Sequence, residues 1–386
     1  MDSAEVVVVG GGVIGASIAY HLAARGCTDV RVLERGAVPG EGSTGKATGG
    51  FRAQFASDVN VRLSLLSLEK LRRFPDELGV DSGYRPCGYL FLADSAASLD
   101  ILLGAQAVQH AAGLAEARVV DPAEARAINP AISIDGVVGG TWCPTDGFIR
   151  PLEILRGYTE GARRLGVRLD FGAPVEAVER AGDRVTAVRT RAGRIAAGAV
   201  VNAAGAWAGV VGRMAGVEVP VAPLRRQIAP TVPTDVLPEG MPLSVFVDGG
   251  FYARVRDGRV LLLWHGEPRS ADPFDLAFDE TWLSEVTARA HRRIPCLRAV
   301  PVDRAACWTG LYENSPDHHV LLGPAPGTAN FFLANGSSGH GVMHSPAIGQ
   351  LLAEMVLDGA ASSLDVHALR PSRFAEGEPI ESPQLL

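Results

Sequence analysis

The residue types and spacing near the start of the chain suit the binding of a dinucleotide. Gly10-x-Gly12-x-x-Gly15 follows the apolar, β-branched run Glu5 to Val9 and opens a stretch of helical spacing from Val13 to Arg25. Val30 to Glu34 reads as a second buried strand, ending in an acid 19 residues after Gly15. The whole is a βαβ unit of about 30 residues. Gly10 permits a tight turn, Gly12 lets the backbone approach a pyrophosphate, and Gly15 lets helix and strand pack closely. The helix N-terminus offers free N–H groups and a positive dipole end to phosphates. Glu34 is placed to accept from both ribose hydroxyls, and its charge repels a 2′-phosphate. A glycine triplet alone is a weak signal. Here the strand, the helix, the second strand and the terminal acid stand in register.

Other residues could do further chemistry. Arg52 follows two glycines and a phenylalanine. Its planar fork suits a carboxylate, although a surface salt bridge is the plainer use of one among 34 arginines. Lysine is scarce: Lys46 and Lys70 are the only two, so a step that needs one has two candidates. Aromatic residues gather late in the chain as Phe246, Phe251, Tyr252, Trp264, Trp308 and Tyr312, and most are expected in the core or on a sheet face. His265 ends an apolar run and faces either a substrate or a turn. His318 and His319 sit in a polar stretch and read as solvated. The five cysteines, Cys27, Cys87, Cys143, Cys296 and Cys307, include no C-x-x-C pair. With an odd count, neither a zinc site nor a disulfide framework is expected.

The elements that must position these residues alternate. Residues 36–50 read as a loop, 58–78 as a long helix, 88–93 as a strand, and 95–111 and 122–128 as helices. Pro151 to Leu165 reads as a helix with proline in its first turn. Strands follow near 167–170, 174–180, 183–190 and 198–201, then a short helix at 206–214. The pattern then changes to strands at 221–229, 244–247, 250–256 and 259–264, with Asp257-Gly258 as a hairpin turn. A helix at 279–291 and strands near 319–322 and 330–334 precede a last helix at 345–357. Ser345 is its expected N-cap, Pro346 its first residue and Gly359 its stop.

The 386 residues exceed the roughly 250–300 at which one core stops growing, so two domains are expected. The fold class is α/β (α+β): a discontinuous Rossmann-like nucleotide-binding domain over 1–85, 150–220 and 306–386. A mostly antiparallel β-sheet domain over 86–149 and 221–305 is inserted in it. The net charge, 36 − 43 = −7, argues against a nucleic-acid partner. No run of about 18 apolar residues suggests a membrane span. The chain enters a strand without a basic leader, so a cytoplasmic protein is expected.

Three further motifs carry a resemblance. They are Gly42-Ser43-Thr44-Gly45-Lys46-Ala47-Thr48-Gly49-Gly50-Phe51-Arg52, Val200-Val201-Asn202-Ala203-Ala204-Gly205-Ala206-Trp207 and Asn335-Gly336-Ser337-Ser338-Gly339-His340-Gly341. With the fingerprint, they resemble in order the motifs of the D-amino-acid oxidase superfamily. The similar branch holds sarcosine oxidase β subunits, glycine oxidase and proline dehydrogenase β subunits. The resemblance covers nearly the whole chain, with the middle β block matching loosely. It implies FAD as the cofactor. The implied contacts from the fingerprint are Gly10, Gly12, Val13, Ile14, Gly15, Glu34 and Arg35. The second loop adds Ser43, Thr44, Lys46, Ala47, Thr48 and Gly49, and the main chain of Val175 faces the adenine. Ala203, Gly205, Trp207 and Gly310 follow, then Gly336, Ser338, Gly339, His340, Gly341 and Val342. The chemistry agrees: a reduced flavin carries negative charge near N1 and O2, and a glycine-rich loop ahead of a helix offers N–H groups and a dipole there.

The resemblance also implies roles for Arg52, Tyr252 and His340, and His265 joins them as a candidate by its place at a strand end. Arg52 clamps the substrate carboxylate, Tyr252 touches the substrate from its strand, and His340 lies beside the flavin or serves a structural hydrogen bond. Departures from the family pattern are informative. Met343 stands where some sarcosine oxidases carry a second carboxylate-binding lysine. Gly310 stands where some carry the cysteine that attaches FAD, with Cys307 three residues away, so noncovalent FAD is expected. The strand 259–264 lacks the family's oxygen-activating lysine; either Lys46 substitutes or oxygen is not the acceptor. The expected reaction oxidises the C–N bond of a small amino acid or N-substituted amino acid by hydride transfer to flavin N5, and the imine then hydrolyses. Two alternatives stay open. One is oxidation of a 2-hydroxy acid, with His265 or His340 as base. The other is a flavin subunit of a hetero-oligomeric amine dehydrogenase, and a homo-oligomer is equally open.

Overall fold

The computed structural model describes residues 2–266 and 272–385. Two eight-stranded sheets organise them. The first is built around the parallel neighbours Asp2–Val9, Val30–Leu33 and Gly193–Asn202, with Val6 paired to Val30 on one side and to Ala199 on the other. Arg168–Asp170 extends it beyond Val30–Leu33, and Phe331–Asn335 and Leu321–Pro324 extend it beyond Gly193–Asn202. Both faces are covered: Val6 and Val8 pack under the helices on one side and Val7 against the Ala208–Met214 helix side on the other, so all three are buried, as parallel strands require. The crossover helix Val13–Ala24 packs between Pro151–Arg164 and Gly341–Asp358. It comes close enough to the latter that a Cβ on Gly349 would strike Ser17.

The second sheet runs in the order Trp308–Asn314, Ala222–Pro230, Arg259–Trp264, Phe251–Arg256, Leu243–Phe246, Tyr89–Ala93, Gly139–Cys143 and Arg118–Val120. Every neighbouring pair is antiparallel except Leu243–Phe246 with Tyr89–Ala93. Asp257 and Gly258, both at positive φ, make the expected hairpin turn. The edge strand Trp308–Asn314 brings this sheet against the glycine-rich loop of the first.

The structure differs from expectation in several places. The last helix begins at Gly341, four residues before Ser345, and Pro346 lies inside it. Proline there lacks the N–H that would reach the Val342 carbonyl. The Ser345 hydroxyl donates to that carbonyl at 2.9 Å instead, so Ser345 replaces a missing bond and is not a cap. The stretch 36–50 is not all loop: it holds the short helix Ser43–Lys46 and enters the strand Gly50–Phe51. The strands Arg118–Val120, Gly139–Cys143 and Gly147–Phe148 carry no clear alternation. Gly140 is needed in its strand because a Cβ would strike the Phe91 carbonyl of the neighbour.

Candidate active site

A groove of about 540 Å³ runs from the carboxyl ends of the first sheet to the edge of the second. Its floor is built as the fingerprint requires. Gly10 has φ 109°, and a Cβ on it would strike the Ala203 carbonyl. A Cβ on Gly12 would meet only the Thr44 hydroxyl, at 3.4 Å, so backbone lies bare at the groove. The Val13 N–H at the helix start donates to that hydroxyl at 3.1 Å. Glu34 accepts from the N–H groups of Gly11 at 2.7 Å and Gly36 at 2.6 Å. These two bonds fix the carboxylate at the groove and leave lone pairs for hydroxyl groups.

The opposite wall holds polar atoms with no partner among the described residues. Trp207 Nε1, Ser337 Oγ and Glu313 Oε2 are buried, unbonded and on residues that line the groove. Buried polar atoms need partners, and a flavin dinucleotide, with hydroxyls, phosphates and ring heteroatoms along its length, has the chemistry to supply them. Beyond the fingerprint floor, the groove is lined by Ile14, Arg35, Ser43, Lys46, Ala47, Val175, Gly205, Gly310, Gly339, Gly341 and Val342 among the expected contacts. At one end the Arg35 guanidinium sits 4.5 Å from the Trp207 ring and 5.1 Å from Phe274.

Two expected contacts line neither the groove nor the cavity beside it. Gly15 lies beneath the groove, where a Cβ would strike the Gly10 carbonyl, and its task is packing. Gly336 turns the chain at φ 79° behind the loop, with its Cβ position 2.9 Å from Ser315 Cβ. Thr48, Gly49, Ser338 and His340 line a second, smaller cavity of about 110 Å³ that adjoins the groove.

Arg52, Tyr252, His265 and His340 all line this second cavity. Arg52 is 2% exposed and pairs with no carboxylate among the described residues, which removes the surface salt-bridge reading. Its Nη1 donates to the Gln54 carbonyl at 2.5 Å, and its Nη2 lies 3.2 Å from His340 Nε2. The guanidinium carbon stands 3.9 Å from the Phe55 ring centre. Burial pulls its pKa down to about 10, so it stays a cation at neutral pH. Behind it, the buried Asp146 accepts from the Ala53 N–H at 2.7 Å and from Gln54 Nε2 at 3.0 Å. Burial pushes Asp146 up to about 7.

Tyr252 and His265 meet edge to face at 5.7 Å. Burial, then the charges of Arg226 and Arg52, drive His265 down to about 3. His340 is also held well below the usual imidazole range, first by burial and then by Arg52. Both imidazoles are therefore neutral and weakly basic, a poor match for a general base working near neutrality. His319 is not solvated: it is 2% exposed, with Nε2 2.8 Å from the Ser57 hydroxyl. His318 is partly exposed.

Several residues beyond the sequence candidates shape this cavity. Tyr89, Arg226 and Tyr312 line it, and Gln54 and Asp146 hold the loop that carries Arg52. Lys46 stands at the junction of groove and cavity, against Gly310, whose lack of a side chain leaves it room.

The groove, the glycine floor and the adjoining cavity define a dinucleotide-binding protein with room for a small molecule beside the cofactor. Residues 5–355 match the family described as DAO, FAD dependent oxidoreductase, and the chain belongs to that family. Mitochondrial dimethylglycine dehydrogenase of Rattus norvegicus is 29% identical over 97% of this chain, which spans 45% of that relative's length. Among solved structures, L-proline dehydrogenase from P. horikoshii is 30% identical with a TM-score of 0.90, covering 98% of this chain and 100% of that one. Glycine oxidase from Geobacillus kaustophilus is 25% identical with a TM-score of 0.85, covering 97% and 99%. Among the described residues no helix is long and apolar enough to cross a membrane.

Proposed function

We propose that this enzyme oxidises the C–N bond of a small amino acid or N-substituted amino acid. The observation that carries the reading is Arg52: a buried cation without a carboxylate partner, on the wall of a small cavity that opens onto the flavin groove. FAD, when bound, supplies the two-electron acceptor. The chain's residues do the rest. Arg52 takes the substrate carboxylate in its fork. Tyr89, Tyr252 and Tyr312 enclose the amine in a largely desolvated space that favours its neutral form. The substrate loses two electrons and two protons as its C–N bond becomes C=N. Water then adds to the imine carbon and releases a carbonyl compound and an amine. The relatives support this class: their names speak of dimethylglycine, L-proline and glycine. The 2-hydroxy acid reading is disfavoured because His265 and His340 are poor bases where they stand.

We place FAD along Gly10, Gly12, Glu34, Ser43, Thr44 and the 336–342 loop, held without a covalent bond. Gly310 offers no nucleophile, and the Cys307 thiol is turned to the Asp303 carbonyl at 3.5 Å. The segments 1–85, 150–220 and 306–386 are assigned to the FAD-binding part and 86–149 with 221–305 to the substrate part, although the strand Trp308–Asn314 of the former is the edge of the latter's sheet. The enzyme is proposed to act in the cytoplasm and to pass electrons to oxygen or another acceptor, alone or with a partner subunit. Anaerobic addition of small amino acids to the flavin-loaded protein tests the reading: bleaching by amines supports it, and bleaching by 2-hydroxy acids alone overturns it.

A further inference from the structure

The cavity holds a second guanidinium. Arg226 lies on Ala222–Pro230, opposite Gly310 of the edge strand, and lines both the flavin groove and the substrate cavity. Its Nη1 donates to the His265 carbonyl at 3.0 Å, and its guanidinium carbon stands 5.4 Å from the Tyr312 ring centre. Its Nε is buried and has no hydrogen-bond partner among the described residues. No carboxylate among the described residues forms an ion pair with it.

The charge around the cavity is one-sided. Lys46, Arg52 and Arg226 line it, and among the described residues no aspartate or glutamate does. One substrate carboxylate can satisfy Arg52. Half-buried Arg226 then keeps a cation without a carboxylate and a buried Nε donor without a partner among the described residues, and an anion in the cavity would complete both. A bidentate guanidinium–carboxylate contact is the strongest pairing open to it.

We propose that the substrate is an amino dicarboxylate: one carboxylate is held by Arg52, the second by Arg226, and the amine lies between them beside the tyrosines. This deepens the C–N oxidation reading and rests on it. The second carboxylate is a specificity element, because an analogue without it leaves Arg226 unpaired and the site discriminates against that analogue.

The test uses the FAD-loaded enzyme and two probes that differ in one group: iminodiacetate and sarcosine, where a methyl replaces the carboxymethyl arm. Each is titrated anaerobically against flavin absorbance with the parent and with Arg226→Gln and Arg226→Lys. The parent is expected to favour iminodiacetate by at least about tenfold in apparent Kd. Arg226→Gln is expected to lower that ratio by at least about tenfold, and Arg226→Lys to restore part of it. A parent without preference overturns this inference alone, and the C–N reading stands. So does an Arg226→Gln that keeps the ratio while shifting the flavin midpoint potential, which assigns Arg226 to the reduced cofactor. Bleaching by neither amine, with bleaching by a 2-hydroxy acid, overturns the parent reading and this inference with it.

Discussion

Arg52 Nη2 lies 3.2 Å from His340 Nε2, and this contact joins the loop after the glycine-rich motif to the start of the last helix. A guanidinium has donors and no acceptor, so His340 Nε2 must accept and the ring proton must sit on Nδ1. The histidine therefore acts here as a neutral acceptor that aims Arg52 into the cavity. Replacing it by alanine frees the guanidinium to turn toward the Gln54 carbonyl, which it already meets. His340→Ala is expected to raise KM for the amino-acid substrate about tenfold, with a smaller change in kcat. An equal fall in kcat with KM unchanged would place His340 in the chemical step instead.

Arg52 itself should be the most sensitive position. Its removal leaves the substrate carboxylate desolvated and unpaired, a loss of about 2–5 kcal/mol. Arg52→Ala is expected to lower kcat/KM by at least about thirtyfold in steady-state assays. Arg52→Lys should recover little of it, because a point charge cannot reproduce the fork. Full affinity in Arg52→Ala would remove the clamp.

The buried histidines set the pH behaviour. His265 titrates at about 3, so it is already neutral at pH 5 and gains nothing by pH 8. The rate of anaerobic flavin reduction is expected to show no limb between pH 6 and 7 that disappears in His265→Gln. Such a limb would mean a histidine base and would favour hydroxy-acid chemistry.

Asp146 gives stability the opposite pH slope from a paired carboxylate. Its folded pKa, about 7, lies above the unfolded value of about 3.9. Below pH 4 both states hold the proton. As pH rises from 4 to 7, the unfolded chain releases it while the folded chain keeps it, so stability falls, by at most about 1.4 kcal/mol per pH unit for one group. Above 7 the contribution is level. Thermal melts of Asp146→Asn are expected to fall less between pH 5 and 7 than those of the parent. Some slope should remain, because Glu313, also raised to about 7 by burial, acts in the same direction.

The fingerprint was legible because its parts are adjacent in sequence: a strand, three glycines, a helix and an acid within one βαβ unit. Arg52, Tyr252 and His340 could be named from the resemblance and His265 from its place at a strand end, yet only folding brings them to one cavity. Arg226 carried no local signal, and Tyr312 stood out only as one of the late aromatic residues. They meet because the antiparallel register sets Leu224 against Tyr312 and Arg226 against Gly310, a pairing that no short window contains. His319 misled for the same reason: it sits in a polar stretch, and Ser57 from a distant segment buries and bonds it. Ser345 looked like a helix cap beside Pro346 until the bond to the Val342 carbonyl showed its task.

The most direct test is an anaerobic titration of the purified, FAD-loaded protein with small amino acids and their N-substituted forms, followed by flavin absorbance. The account predicts flavin colour that is released into solution on precipitation, stoichiometric bleaching by an amine, and loss of that bleaching at the same concentration in Arg52→Ala. A protein that takes up no flavin, or whose flavin no amine reduces, would contradict it.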